Sequence, residues 1–279
     1  MIPRRHPFAQ QRYPPLDSAL LPVTRSRLLS DHPGVIHGIT HRVPGLGLAD
    51  GNLGYGPPRD TADAWQMRRQ WSSAIGVDPD RLVAAGQVHG ADVLRVRRDH
   101  AGVGARPDSR RVGIADALIT DEPGVALLSL HADCLPLLLV DPQRPAIAAV
   151  HAGWRGTVAN IAAAAVAAMS AQFGSRPDQL LAFLGPAIGA CCYEVGPDVI
   201  TAWQARAGAA ASLSLTATGP RRTFDLHAAN TLLLTRAGLL SQHIEHSPIC
   251  TRCAGEDSFS HRGQGANTGR FGAIISLAG

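Results

Sequence analysis

Between Asp60 and Ile75 the apolar residues Ala64, Met67, Trp71 and Ala74/Ile75 recur at helical spacing, with Asp60 or Thr61 placed to cap the start and Gly76 to stop it. This predicts an amphipathic helix. Apolar, β-branched runs then cover Leu82 to Val96 around a Gln87-Val88-His89-Gly90 break, Val125 to Leu130, Leu135 to Val140 and Ala146 to Val150, and these predict buried strands. An Ala-rich run from Val158 to Met169 follows Gly156 and Thr157 and is closed by Gly174 and Pro177, which predicts a second helix. Two more helices are expected near Asp198 to Ala207 and Asp225 to Ala237. The last apolar run, Ala273 to Leu277, is expected to return to a sheet that the middle segments began.

No break in composition divides the chain, and no repeat of solenoid or propeller length is visible. The expected architecture is α+β: a single domain over residues 34–279, with a mixed β-sheet core flanked by helices. Residues 1–33, rich in Pro and Arg with weak periodicity, are expected to form a loosely packed N-terminal arm.

Composition narrows the function classes. Hydrophobic residues make up 45% of the 279 and charged residues 17%, without long polar tracts, which excludes a disordered chain. All 26 basic residues are arginine, but the formal charge is only +4, with no dense basic run or interleaved aromatics. A nucleic-acid groove is therefore not expected, whereas small anionic substrates are compatible. The N-terminal stretch lacks an apolar region after its arginines, and no run of membrane-spanning length follows, so neither export nor membrane insertion is expected. Five irregularly spaced cysteines do not form a secreted disulfide framework and fit a reducing cytoplasm.

Three apolar segments end or break at residues that bind metals: His89 in Gln87-Val88-His89-Gly90, Cys134 after His131-Ala132-Asp133, and His151 in His151-Ala152-Gly153-Trp154-Arg155-Gly156. Two imidazoles and a thiolate with one open position form a catalytic zinc set, because zinc takes N and S donors tetrahedrally. Spacing alone leaves the other account open, with hydrogen-bonded core histidines and a buried thiol. His131, three residues before Cys134, competes as a ligand and ranks as a supporting group. The turn at His151 to Gly156 joins a strand to a helix, where backbone N–H groups and Arg155 suit an anion; a glycine-permitted turn with Arg155 in solvent or in an ion pair fits the same six residues. Cys250-Thr251-Arg252-Cys253 has zinc-knuckle spacing but no second pair at matching spacing. Adjacent Cys191 and Cys192 are expected to be poorly arranged to complete four ligands, so these thiols are read as unremarkable.

Taken in order, Gln87-Val88-His89-Gly90, Ala132-Asp133-Cys134-Leu135-Pro136, His151 to Gly156, Gly185-Pro186-Ala187-Ile188-Gly189 with Tyr193-Glu194-Val195, Cys250-Thr251, Phe259-Ser260-His261-Arg262 and Thr268-Gly269-Arg270 resemble the YfiH-like laccase-domain family, from about His37 onward. Members of that family were first described as copper polyphenol oxidases and later as zinc-dependent purine nucleoside enzymes. The resemblance implies phosphorolysis of adenosine, inosine and methylthioadenosine, with adenosine deamination beside it, and purine nucleosides and phosphate as partners. It places the metal ligands on His89, Cys134 and His151. His89, Cys134 and Asp133 are then expected to be catalytic, and Gln87, Arg155 and Arg262 to bind substrate. Two positions depart from the family pattern: His131 stands where threonine is more usual, and Gly263 replaces a second arginine. Arg42 and Asn52 fit its opening segment only loosely.

Three rivals follow from the same residues. His and Cys also bind Cu2+, but none of the 12 histidines forms the His-x-His pairs of multicopper oxidases. Cys134 with His89 as base would make a thiol hydrolase. A purely structural zinc would be closed by four protein ligands. The His-x-Glu and Pro-Cys-x-x-Cys signature of common zinc deaminases is missing, which makes phosphorolysis the leading activity.

Overall fold

A computed structural model describes residues 21–279. In chain order its strands are β1 (Val35–Ile39), β2 (Leu82–Val83), β3 (Val93–Arg95), β4 (Ala117–Thr120), β5 (Ala126–His131), β6 (Leu135–Asp141), β7 (Ala146–Ala152), β8 (Leu181–Leu184), β9 (Leu215–Thr218), β10 (Arg221–Phe224), β11 (Ile244–His246) and β12 (Phe271–Leu277). The helices are α1 (Arg27–Ser30), α2 (Thr61–Ile75), α3 (Trp154–Val158), α4 (Ile161–Phe173), α5 (Pro197–Ala207), α6 (Leu226–Arg236) and α7 (His261–Gln264).

The strands form two mixed sheets and a β9–β10 hairpin. One sheet has the order β1-β12-β5-β2, the other β11-β8-β6-β7-β4-β3. Chemistry dictates the stacking. Along β6, Leu135, Leu137 and Leu139 point to one face and pack with α4, α5 and α6, while Leu138 and Val140 point to the other and meet Leu127, Ala273 and Ile275 of the smaller sheet. Successive side chains alternate across a strand, so a continuous apolar run is what a strand buried on both faces requires. The outer face of the smaller sheet, with Ala126, Leu128 and Ile274, is covered by Ile75 at the end of α2. Helix, sheet, sheet and helices are therefore stacked in layers. Truncating Leu138, fully buried between the sheets, to alanine is expected to cost about 2–5 kcal/mol.

Local signals account for the boundaries. The Asp60 side chain accepts from the Asp63 N–H at the start of α2, and Gly76 ends it at φ 97°, a left-handed conformation that glycine adopts without a Cβ penalty. Asp225 caps α6 in the same way by accepting from the Ala228 N–H. β12 does return to the middle of the chain, pairing antiparallel with both β5 and β1.

The expected α+β architecture is observed, with two stacked mixed sheets as its core. Other expectations change. The Leu82 to Val96 run is two short strands separated by a loop, because its central residues turn away to build the site described below. The Ala-rich helix is divided: α3 has five residues, Asn160 adopts φ 72°, and α4 starts only at Ile161. Residues 21–33 pack onto the domain: Leu29 of α1 is buried between the sheets, and Glu245 accepts from the Ser26 hydroxyl and from the N–H groups of Arg27 and Leu28. The rest of the expected arm, residues 1–20, lies outside the described residues. No helix among them is long and apolar enough to cross a membrane.

Candidate active site

Where β5 leaves one sheet and β6 enters the other, the chain crosses on only three residues, Ala132, Asp133 and Cys134. Asp133 makes that crossing at φ 83°, a conformation rare for a side chain with a Cβ. Three donors hold it there: the Thr251 hydroxyl at 2.6 Å, the Ser260 hydroxyl at 2.7 Å and the Arg262 backbone N–H at 2.6 Å. His151 lies near the end of β7, in register with Pro136 of β6, which brings it beside Cys134. His89 comes from the loop between β2 and β3, at φ 63°. The ligand atoms of His89, Cys134 and His151 all lie within 4.8 Å of one another.

A single carboxylate sets both histidines. Asp116, just before β4, accepts from His151 Nδ1 at 2.8 Å and from the backbone N–H groups of Val88, His89 and Gly90 at 2.7 to 3.1 Å. Ionised Asp116 can only accept, so Nδ1 carries the proton and Nε2 is left to bind. The His89 ring approaches the sulfur without obstruction because residue 153 is glycine: a Cβ there would lie 2.9 Å from Cys134 Sγ and 2.9 Å from His89 Cδ2.

The electrostatics favour a thiolate. Burial pushes the Cys134 thiol up, but His151 and His89 beside it outweigh burial and bring it down to about 6. Burial likewise disfavours charge on His151, yet Cys134 and Asp116 draw its imidazole above the ordinary histidine value. A deprotonated sulfur, two imidazoles and an anchoring carboxylate suit a three-ligand zinc or copper centre. His131 does not join it. Its ring is buried against Phe271 and His151 and bonds to Ser129 Oγ and the Cys134 carbonyl.

The three ligands open into a cavity of about 620 Å³. Gln87, Asp133, Arg155 and Arg262 all line it. Their hydrogen bonds separate their roles. The Gln87 amide is engaged at both ends by the Leu130 backbone, which ties the His89 loop to β5. Arg262 donates to the Glu194 carbonyl and lies over Tyr193. Arg155 lies over the Trp154 ring and has no ion pair among the described residues. The expected helix N-terminus contributes little, because α3 is too short for aligned peptide dipoles to add up.

Other lining residues were not among the expected site residues, although Tyr193 and Arg270 lie in the motifs that carry the family resemblance. Arg59, Arg111 and Arg270 add three guanidinium groups, Tyr55 and Tyr193 add aromatic faces, and among the described residues Asp133 is the one carboxylate on the wall. Burial and then the charge of Arg59 push Arg270 below the usual arginine value, a sign of positive charges crowded together. Arg59 and Arg111 sit in loops without periodicity. Asp116 precedes a strand too short to stand out. Arg42 pairs with Asp50 away from the cavity, and Asn52 is buried with its carbonyl accepting from the Arg270 N–H, so each acts on the fold.

The four remaining cysteines overturn an expectation. Cys191, Cys192, Cys250 and Cys253 converge, with sulfurs within 4.8 Å of one another, because the two loops that carry them are paired side by side.

Comparison with known proteins fits this geometry. A model of the multi-copper polyphenol oxidoreductase laccase family matches residues 36–278. The chain belongs to that family. A family member named purine nucleoside phosphorylase YlmD, from Geobacillus stearothermophilus, is 35% identical over 246 residues, covering 87% of this chain and 90% of its own. The crystal structure of YlmD from that organism superposes with a TM-score of 0.85 at 34% identity, over 89% of this chain and 93% of the other. A further member, named adenosine deaminase RL5, from an unknown prokaryotic organism, is 36% identical over 203 residues, or 70% of this chain and 75% of its own.

Proposed function

We propose that this family member is a zinc-dependent purine nucleoside phosphorylase whose catalytic unit spans residues 34–279, working in the reducing cytoplasm, where its five free thiols persist. The observation that carries the proposal is a three-ligand centre opening into a cavity with five arginines and one carboxylate on its walls among the described residues. A wall so unbalanced in charge suits phosphate, and the flanking aromatic rings suit a purine. The name of the Geobacillus relative supports the same activity.

In this reading Arg155, free of a carboxylate partner among the described residues, orients phosphate with help from Arg262 and Arg270. A phosphate oxygen forms a bond to the ribose anomeric carbon as the bond to the purine nitrogen breaks, and the base leaves with the electron pair and takes up a proton. Orientation of the two reactants supplies much of the rate. His89, Cys134 and His151 would hold the zinc, which supplies a Lewis acid and an acidified water when bound. Asp133 shapes the wall and, through its three donors, fixes Cys134. Asp116 keeps the two imidazoles aimed at the sulfur.

Adenosine deamination is a second reading, favoured by the name of the RL5 relative and by the same open metal position. One assay separates the readings. Metal-quantified protein is incubated with adenosine, inosine or methylthioadenosine, with and without phosphate, and products are resolved by chromatography. Phosphate-dependent release of free base and ribose phosphate is expected, and inosine from adenosine reports deamination. Phenol oxidation with copper bound, and no base released, would sink the proposal in favour of an oxidase.

A further inference from the structure

We propose that Cys191, Cys192, Cys250 and Cys253 form a second metal site, a tetrathiolate centre for a thiophilic divalent cation such as zinc, which clamps two loops on the cavity wall. All four sulfurs lie within 4.8 Å of one another, and all are free thiols. Cys253 Sγ is 3.6 Å from Cys191 Sγ and 3.4 Å from Cys192 Sγ. A disulfide would need about 2.05 Å. The edge of a tetrahedron with metal–sulfur bonds of about 2.3 Å is about 3.8 Å. The observed separations therefore match sulfurs grouped around a cation much better than sulfurs bonded to each other.

The backbone holds this arrangement without help from the thiols. Ala187 and Cys250 form a parallel bridge, and the Thr251 N–H donates to the Ala187 carbonyl, so the two segments run side by side. Each then turns: the N–H groups of Cys192 and Tyr193 donate to the Gly189 carbonyl, and the Ala254 N–H donates to the Cys250 carbonyl. The Gly189 N–H donates to Cys250 Sγ at 3.2 Å, a bond that is strengthened when sulfur is a thiolate. A Cβ on residue 189 would lie 3.3 Å from Cys191 Sγ and 3.5 Å from Cys250 Sγ, so glycine leaves room for the sulfurs to converge.

Charge around the cluster also fits. Four thiolates on a divalent cation carry net negative charge, and Arg221 and Arg252 donate to the carbonyls of Cys191 and Cys192. Cys191 and Cys253 are exposed, so a cation can enter from solvent. Binding would exchange one proton per thiol for the metal, the protons leaving to buffer. The clamp acts on the active site through two neighbours: Tyr193, next to Cys192, lines the cavity, and Thr251, between the two later cysteines, bonds Asp133 beside Cys134.

The test is metal content of untagged full-length protein purified without chelator, measured by atomic emission, together with Co2+ titration of the metal-stripped chain. The expected result is two equivalents per chain, with sulfur-to-cobalt charge-transfer absorption dominated by the four-cysteine site. Cys253→Ser and, separately, Cys191→Ser should each lose one equivalent and most of that absorption. Cys134→Ser should lose the other equivalent and keep most of the absorption. One equivalent in the wild type, unchanged by either serine variant at 191 or 253, overturns the proposal. So does a mass spectrum showing Cys192 or Cys253 in a disulfide with no second equivalent of metal. If one variant fails to fold, the wild-type stoichiometry and cobalt spectrum still decide.

Discussion

The cavity holds His89, Cys134 and His151 at its base, and Cys191, Cys192, Cys250 and Cys253 lie behind one wall; each set gathers residues from distant stretches of chain. The first set is organised before any ion arrives. Its thiol has two imidazoles for partners, one imidazole has Asp116, and Asp116 also grips the loop of the other. The second has four groups of one kind and no positive side chain among them. Burial and the neighbouring thiols push Cys191 up to about 12, while at Cys250 backbone N–H donors from Cys253 and Gly189 outweigh burial and bring the thiol down. Mixed donors of opposite charge stabilise one another, whereas like donors need a cation between them. A centre of the first kind keeps an open position for chemistry, and one of the second kind is closed and structural.

That contrast can be broken most sharply at the first cluster. Cys134→Ser is expected to lower phosphorolysis by about a thousandfold or more, the order of several kcal/mol that a metal contributes to a transition state. Steady-state turnover of inosine with phosphate checks this, and retention of more than a tenth of the activity would refute a role for the sulfur. Asp116→Asn leaves all three ligands in place and should weaken metal binding about 10- to 100-fold, read by competition with a chromogenic chelator. The four-cysteine site should be untouched by that change.

Arg155→Ala tests the anion half of the cavity. The KM for phosphate should rise about tenfold, as for loss of one charge-assisted hydrogen bond of about 1.4 kcal/mol, with a much smaller change in the nucleoside KM. Equal changes in both would mean that Arg155 does not hold phosphate. At the second cluster, Cys253→Ser should lower the thermal midpoint by about 5 °C, corresponding to about 2 kcal/mol in a chain of this size, with metal at the first site retained. An unaltered midpoint would remove the structural role.

The smallest effect concerns a histidine outside both clusters. His37 is buried like His151, but burial and Arg25 push its imidazole down to about 4, which Glu245 only partly offsets, and the Ser26 N–H donated to Nε2 suits the neutral ring. Its folded value lies below its unfolded one near 6.5, so the unfolded chain binds more protons in between. Stability from this residue should be complete above pH about 6.5 and decline as the pH falls toward 4. Denaturant midpoints measured across that range, with His37→Gln as the comparison, should show a shallower decline in the variant.

Much of the fold was legible in the chain. The α2 helix carries its own cap, stripe and stop signal, and β5, β6 and β7 are apolar enough to be recognised without context. Strands β4, β8 and β11 were not, because three or four residues give too little periodicity. The break at Asn160 was not legible because no Gly or Pro marks it, and only the structure gives its left-handed φ of 72°. At the site, His89, Cys134 and His151 stood out because each interrupts an apolar segment in a residue type that binds metals. Asp116 did not, since a lone acid before a short strand is indistinguishable from any strand end.

What the sequence determined by itself was therefore local: which segments bury two faces, where helices stop, and which three residues have the chemistry of a ligand set. Tertiary structure alone decided which residues meet. The pairing of β6 with β7 sets Cys134 beside His151, the Asp116 carboxylate reaches strand β7 and the His89 loop at once, and a bridge at Ala187 and Cys250 turns adjacent cysteines and a distant pair into one cluster. Spacing along a chain constrains partners only within a turn or a hairpin, while convergence of distant segments depends on the register of sheets, which every residue in the core sets together.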